Sequence, residues 1–322
     1  MNQPDLLSRE ASKHFYEDRY RHGYMGHWSA FEKSRLLELI GKLNLPQKGT
    51  ALDFGCGRGI FTQVIKQALP QWEVYGCDIS APAVDYAKEH FPGITFFVLG
   101  DEQFKNLKAD FLHSHHVLEH TFDLRVTTTE MSNFLNEHVT MMHSLPCGHS
   151  GSLEYKLASL VRNGVNEKNG TYFFEDTAHL RRLSATQLDS YFSDNGFKRI
   201  QSHYANQYYG AIRWLSESSL SQVLQITDFR KGVDINARKE LMKWRRLLFF
   251  SWFCFFATSG FSKLDRGTHY FLKRLLRIIS TVLFFPVSLP VRIYIDQRSN
   301  KEWKEKHLNE NGSDMFLAYQ RP

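Results

Sequence analysis

Disulfide chemistry has little to work with in this chain: of its 322 residues only Cys56, Cys77, Cys147 and Cys254 are cysteines, and no two stand as Cys-x-x-Cys. They read as reduced structural thiols of a cytosolic compartment. No apolar run precedes a cleavage site in the first twenty residues, which argues against a signal peptide and predicts a cytoplasmic location. Nor does any apolar run reach the roughly twenty residues that a spanning helix needs. Acidic residues are scarce between Arg230 and Lys306, six against seventeen Lys and Arg, although the whole chain carries only +6. The basic character therefore belongs to the C-terminal third.

What is present begins at Ala51–Thr62, a short apolar strand that ends in an acid and runs through a glycine turn into a helix. Gly55, Gly57 and Gly59 permit positive φ and leave room for a ligand at the first turn of that helix. A dinucleotide site would have its third glycine one place later, where Ile60 stands, so a different nucleotide is favoured. A second apolar strand, Val74–Cys77, ends at Asp78, well placed to accept from two ribose hydroxyls. A helix over Ala81–His90 follows. The third strand, Ile94–Val98, leads to Gly100-Asp101-Glu102, where an adenine edge would lie, and the fourth, Ala109–His115, leads to Val117-Leu118-Glu119-His120.

These segments, LDFGCGRG, YGCDIS, LGDEQF and HSHHVLEHTFD, resemble the class I S-adenosylmethionine-dependent methyltransferases, particularly the subgroup that includes the quinone-biosynthesis O-methyltransferases. The resemblance is tight over Thr50–Asp123. It is looser over Tyr172–Ile200, where FFEDTAHLRRLSATQLDSYFSDNGF matches a strand-loop-helix ending in Gly-Phe. The resemblance implies an α/β fold: a Rossmann-like seven-stranded sheet with helices on both faces, here with a C-terminal helical segment added. It implies S-adenosyl-L-methionine as cofactor. Asp53 and the backbone of Gly55 and Gly57, in the turn that Gly59 closes, would hold its methionine end, and Asp78 its ribose. Ile79 would pack on the adenine face, Asp101 with the Glu102 amide would read its edge, and His116 would sit beside the sulfonium.

Three regions are expected: a helical lead-in over 1–48, a cofactor-binding domain over 49–207 with a polar substrate-side insertion at 148–182, and a basic, apolar helical region over 208–322. In the lead-in, Tyr16, Tyr20, Tyr24 and Trp28 recur every four residues, and the preferred reading is a stripe packed on the core rather than a substrate-contacting lid. A helix is expected near Thr128–Asn136 and a fifth strand near Val139–Leu145. In the tail, Leu247–Phe261 is led by Lys243, Arg245 and Arg246, and Ile278–Val291 by Lys273, Arg274 and Arg277; Pro286 and Pro290 break the second run. Aromatic helices with basic flanks suit an anionic leaflet, peripherally or monotopically, and this reading is preferred to a helical subdomain that packs on itself or forms a homodimer. No nucleic-acid recognition motif accompanies the charge, so nucleic acid is not the expected partner.

A hydroxyl acceptor needs a base, and histidine is the usual one near neutral pH. His116 and His143 are the candidates, each expected at a strand end facing the cofactor, while Glu119 and His120 would open the next helix in either a catalytic or a capping role. His113 and His115 are read as pointing opposite ways, one of them structural. Arg162, Glu175, His179, Arg181 and Arg182 could grip an anionic acceptor. His116 to His120 also spells a zinc-peptidase pattern, rejected because His116 would have to lie inside a helix; no metal ion is required by any spacing. The expected activity is O-methylation of a membrane-borne acceptor, a lipid-linked glycan in preference to a lipid or quinone-like molecule. The alternatives are a soluble small-molecule or RNA methyltransferase with a dimerising tail, and a catalytically silent binding protein.

Overall fold

The computed structural model describes residues 8–26, 28–259 and 271–321, without the side chains of 271–274, 277 and 280. Phe261, at the end of the first apolar run, and the side chains of Lys273, Arg274 and Arg277 lie outside what is described. Helices α1 (Arg9–Arg21) and α2 (Ala30–Gly41) precede the sheet, the latter started by a capping box between Ser29 and Glu32. Then come β1 (Thr50–Phe54), α3 (Ile60–Ala68), β2 (Glu73–Asp78), α4 (Ala81–His90), β3 (Thr95–Val98), β4 (Ala109–His115), α5 (Leu124–Ser132) and β5 (Leu135–Pro146). The helix α4 and the strand β4 have the bounds expected from sequence. The helix expected near Thr128 begins four residues earlier because Asp123 caps it, accepting from the Arg125 and Val126 amides.

After β5 come α6 (Leu153–Ser159), α7 (Ala185–Phe192), β6 (Lys198–Ala205), α8 (Tyr209–Glu217), α9 (Leu220–Ile226), α10 (Ile235–Thr258), α11 (Phe271–Lys306) and β7 (Asp314–Arg321). The sheet has the order β3-β2-β1-β4-β5-β7-β6. Strands β1 to β5 pair in parallel, with Asp53 opposite Gly76 on one side and His113 on the other. Burial on both faces explains why most of β1 and β4 is inaccessible to solvent, polar residues such as His113 and Ser114 included. Strand order reverses between β1 and β4, and a crevice opens at the carboxyl ends of such a pair.

The chain divides into two compact units, and the division does not follow the expected boundary at 207. One unit comprises residues 1–146, 177–202 and 316–322; the other comprises 147–176 and 203–315. The seventh strand comes from the end of the chain, inside the region expected to be helical throughout, and takes a place between β5 and β6. The expected insertion at 148–182 is itself split at 176 between the units. No local signal marks β7 as part of the sheet, because its partners lie far away in sequence.

In the second unit, Leu153, Leu157, Ala211, Leu215, Leu241, Leu248 and Phe255 share a core. The Glu302 carboxylate accepts from the amides of Tyr208, Tyr209 and Gly210 at 2.9–3.2 Å, holding the start of α8. Helix α11 runs through Pro286 and Pro290 without a break, which corrects the expectation that they end it. No helix of the described residues is long and apolar enough to cross a membrane.

Because β7 lies inside the sheet, a chain ending at Gln207 leaves β5 and β6 without a shared neighbour. Such a truncation is expected to aggregate or lose its cooperative unfolding transition, as read by circular dichroism during denaturation. A soluble, cooperatively folding 1–207 fragment would contradict this assignment of the sheet.

Candidate active site

The first two strand ends build the floor of a cavity. The amides of Gly55 and Cys56 both donate to the Cys77 carbonyl, at 2.8 and 2.9 Å, which pins the glycine turn to the end of β2. Gly57 N–H and Ser80 N–H donate to the two oxygens of Asp78, each at 2.9 Å. Gly55 and Gly57 have φ of 75° and 51°. A Cβ on Gly55 would stand 2.4 Å from Val117 Cγ2, and one on Gly57 2.6 Å from the Tyr20 hydroxyl. Both positions therefore need glycine for conformation and for space. Burial raises the Asp78 carboxyl to about 6, with the Ser80 and Gly57 amides opposing the shift.

Strand β4 supplies the next wall. His116 adopts φ 53° just past the strand end, where its amide donates to the Ser144 carbonyl at 2.8 Å. A non-glycine residue in this region costs about 1–3 kcal/mol and marks a candidate functional position. His116 Nδ1 lies 2.8 Å from Oε1 of Glu119, whose side chain is fully buried. Burial would raise the Glu119 carboxyl, but His116, then His120 and His179, outweigh it and hold it down to about 2. An ionised carboxylate only accepts, so Nδ1 carries the proton and Nε2 is the basic nitrogen of the His116 ring.

The cavity is lined by Asp53, Gly55, Gly57, Asp78, Ile79, His116 and His120, together with Arg9, Tyr16, Tyr20, Tyr24 and Trp28. The lead-in aromatics pack on the core, Trp28 against Phe61 and Tyr16 against His120, and their other side lines the cavity. Tyr20 holds Arg58 through its carbonyl at 2.8 Å, and an ion pair between Arg9 and Glu130 joins α1 to α5. The period of four was visible in sequence, but not which wall it faced.

Other expected site residues are placed differently. His143 is fully buried, stacked on Phe192 with centroids 4.9 Å apart, and bonded through Nδ1 to Ser114 Oγ; burial pushes it down to about 3. It does not line the cavity. Gly59 caps α3 at φ 78° and gives close packing against Phe96 and Ala87 rather than cavity lining. Asp101 caps the turn at Gln103, Glu102 pairs with Lys105 at the surface, and neither lines the cavity. Asp53 does line it, but its oxygens already accept from Thr62 Oγ1 at 2.6 Å and meet His113 Nδ1 at 2.8 Å. His113 and His115 do not point opposite ways: residues two apart in a strand share a face, and their rings lie 5.8 Å apart, both buried.

Glu119 and His120 do not open a helix; residues 116–120 form a bend and turn before α5, which also removes the helical geometry a zinc peptidase requires. Arg181 is taken up by the same turn, its Nη1 donating to the Thr121 carbonyl at 2.7 Å. Arg162 and Glu175 are not among the lining residues. His179, whose partners were hidden by sequence distance, lies in a T-shaped contact with His120, ring centroids 4.7 Å apart.

Residues 25–203 match the family model described as a methyltransferase domain. The chain belongs to that family. Among curated methyltransferases, protein 235L of Invertebrate iridescent virus 6, a methyltransferase by name, is 24% identical over 180 residues, covering 53% of this chain and 63% of that protein. Trans-aconitate 2-methyltransferase of Acidovorax ebreus is 31% identical over 72 residues, covering 21% and 28%. The chain therefore spans less than two thirds of the length of these relatives. Among solved structures, the YcgJ protein of Bacillus subtilis aligns at 17% identity with a TM-score of 0.45, covering 66% of this chain and 88% of that one.

S-adenosylmethionine is the cofactor of this methyltransferase domain, and the residues fit it. The glycine turn at Gly55 and Gly57 and the buried carboxylate of Asp78 at the end of β2 line the same cavity, the donor and acceptor set that a nucleoside cofactor takes. Aromatic walls suit a sulfonium through their electron-rich faces.

A carboxylate accepts hydroxyls best when ionised, so with Asp78 as the expected ribose acceptor cofactor affinity should be full above about pH 6 and fall as pH drops through that value. At one unit below it, about a tenfold loss is expected. Calorimetric titration across pH 5–8 checks this, with Asp78→Asn as the variant that should bind weakly and show a flat profile. A wild-type affinity independent of pH would remove Asp78 from the site.

Proposed function

We propose that this methyltransferase moves a methyl group from S-adenosylmethionine to a hydroxyl oxygen of a membrane-borne acceptor, a lipid-linked glycan or a lipid or quinone-like molecule. The observation that carries the oxygen assignment is the pairing of His116 with the buried Glu119 at the cavity wall. Glu119 fixes the tautomer of the ring and stabilises the imidazolium that forms when Nε2 takes the acceptor proton. Bound in the cavity, the cofactor supplies an electrophilic methyl on a positively charged sulfur that leaves as a neutral thioether. The acceptor oxygen forms the new C–O bond as the C–S bond breaks toward sulfur, so the protein has mainly to align the two and keep water out. Trp28, Tyr16, Tyr20 and Tyr24 form that enclosure.

Support for a membrane-borne acceptor comes from the second unit. Lys239, Met242, Lys243, Arg246, Leu247 and Phe250 are all exposed and follow a three- and four-residue spacing, one face of α10 that mixes cations with apolar side chains. On α11, Val282, Leu283 and Val287 are 70%, 66% and 56% exposed. Such surfaces suit the headgroup boundary of an anionic leaflet, each cation adding on the order of 1 kcal/mol.

With labelled methyl donor and cell extract including membranes, label should enter the lipid or glycan fraction. Asp78→Ala should abolish it, and His116→Ala should slow it by about a hundredfold or more. Label confined to RNA or water-soluble products would favour the alternative acceptors, and a rate indifferent to His116 would sink the base assignment.

The chain should also float with vesicles containing phosphatidylserine and not with purely zwitterionic ones. Triple charge reversal at Lys239, Lys243 and Arg246 to Glu should release it while leaving cofactor affinity unchanged. Vesicle binding unaffected by the reversal would separate α10 from any membrane role.

A further inference from the structure

Beside the cavity, one loop is laid against the turn that follows β4. Leu180 N–H donates to the Glu119 carbonyl at 2.9 Å, His120 Nδ1 meets the Ala178 carbonyl at 3.0 Å, and Arg181 donates to the Thr121 carbonyl. These bonds flank His179 on both sides and bring it over Glu119 and His120. One ligand-type atom from each of Glu119, His120 and His179 lies within 4.8 Å of the others. Around a four-coordinate zinc with bonds of about 2.0–2.1 Å, ligand atoms stand about 3.4 Å apart, so closing on an ion takes rotamer movements on the order of 1 Å.

Two further observations point to a ligand. The Ala178 carbonyl can only accept, so His120 Nδ1 carries the proton and Nε2 presents its lone pair, the arrangement of a metal-bound histidine fixed by an outer hydrogen bond. Glu119 is completely buried and its Oε2 has no hydrogen-bond partner among the described residues, a costly arrangement for a buried polar atom that nothing else meets.

We propose that Glu119, His120 and His179 bind a divalent first-row transition ion, with zinc as the best match to two imidazoles and one carboxylate, beside the methyl-transfer cavity. Two nitrogen ligands disfavour magnesium and calcium, which take oxygen. His120 lines the cavity, so the remaining coordination position is available to an acceptor oxygen, and His116 stays bonded to Glu119 as its outer partner. The binding site stands on these side chains alone. Its role, making the acceptor hydroxyl easier to deprotonate, rests on the methyl-transfer reading.

The test is equilibrium dialysis of the purified full chain against zinc, with elemental analysis for stoichiometry and thermal unfolding as a second readout, neither needing turnover. Wild type is expected to hold one zinc per chain and to gain several degrees in Tm, and to ignore magnesium. His179→Ala and Glu119→Gln should each bind zinc at least tenfold more weakly and lose the Tm gain. Because His179 is half-buried on a loop, His179→Ala should keep its circular dichroism and its affinity for S-adenosylmethionine, which separates lost ligation from lost folding. Failure of wild type to bind zinc, or equal binding by a folded His179→Ala, overturns the site whatever the acceptor proves to be. Zinc binding without methyl transfer would retain the site and reject its catalytic role.

Discussion

A buried carboxylate past the end of the fourth strand organises the polar cluster beside the cavity. Glu119 has no solvent exposure, and an ionised group in such a place must be surrounded by positive charge or by donors. His116 meets it from the strand end, while the rings of His120, the next residue in the chain, and of His179, on a distant loop, stand close by. The loop is held to the same turn by one main-chain bond, Leu180 N–H to the Glu119 carbonyl, and one from the His120 ring to the Ala178 carbonyl, so the carboxylate and its histidines form one structural unit. His116, paired with this carboxylate, has positive φ and lines the cavity.

Much of the nucleotide half was legible because its signals are local. A strand that ends in an acid, three glycines with the wrong spacing for a dinucleotide, and a second acid at the following strand end lie within thirty or so residues of one another. Turn chemistry and period dictate such features before any tertiary contact forms. His143 shows where this stops: strand position was readable, but the face it presents depends on the register with β4, and the ring went to Phe192 instead of the cavity. Gly59 was likewise visible as a glycine, although what it accommodates is Phe96 rather than a ligand. His179 was unreadable as a partner because Ala178 beside it is separated by 58 residues from His120.

The basic, apolar tail was legible in composition but not in architecture. The first run was visible as led by basic residues and the second as broken by proline; residues 247–258 of the first lie in the longer helix α10 and the whole of the second in α11. Leu248, Ser251, Cys254 and Phe255 turn inward while Leu247, Phe249 and Phe250 remain exposed, so α10 has an apolar core face and a second apolar face mixed with lysine and arginine. Composition alone gives a sum over both faces. Only the helical phase separates the residues that stabilise the unit from those left to meet something else.

The position of β7 ties the two ends of this organisation together. Strands β1 to β4 pair across at most 60 residues, as Asp53 does with His113, far less than the separation of β7 from β5 and β6. The place between β5 and β6 is filled only by the final residues of the chain, after the helices α8 to α11. Closing so long a loop costs only about 0.6 kcal/mol more for each doubling of its length, so stability tolerates the arrangement. Folding order does not: contacts of long sequence separation form late. The cofactor cradle belongs to the local part and β7 to the non-local part, so the nucleotide motifs could be read from the sequence while the completion of the sheet could not.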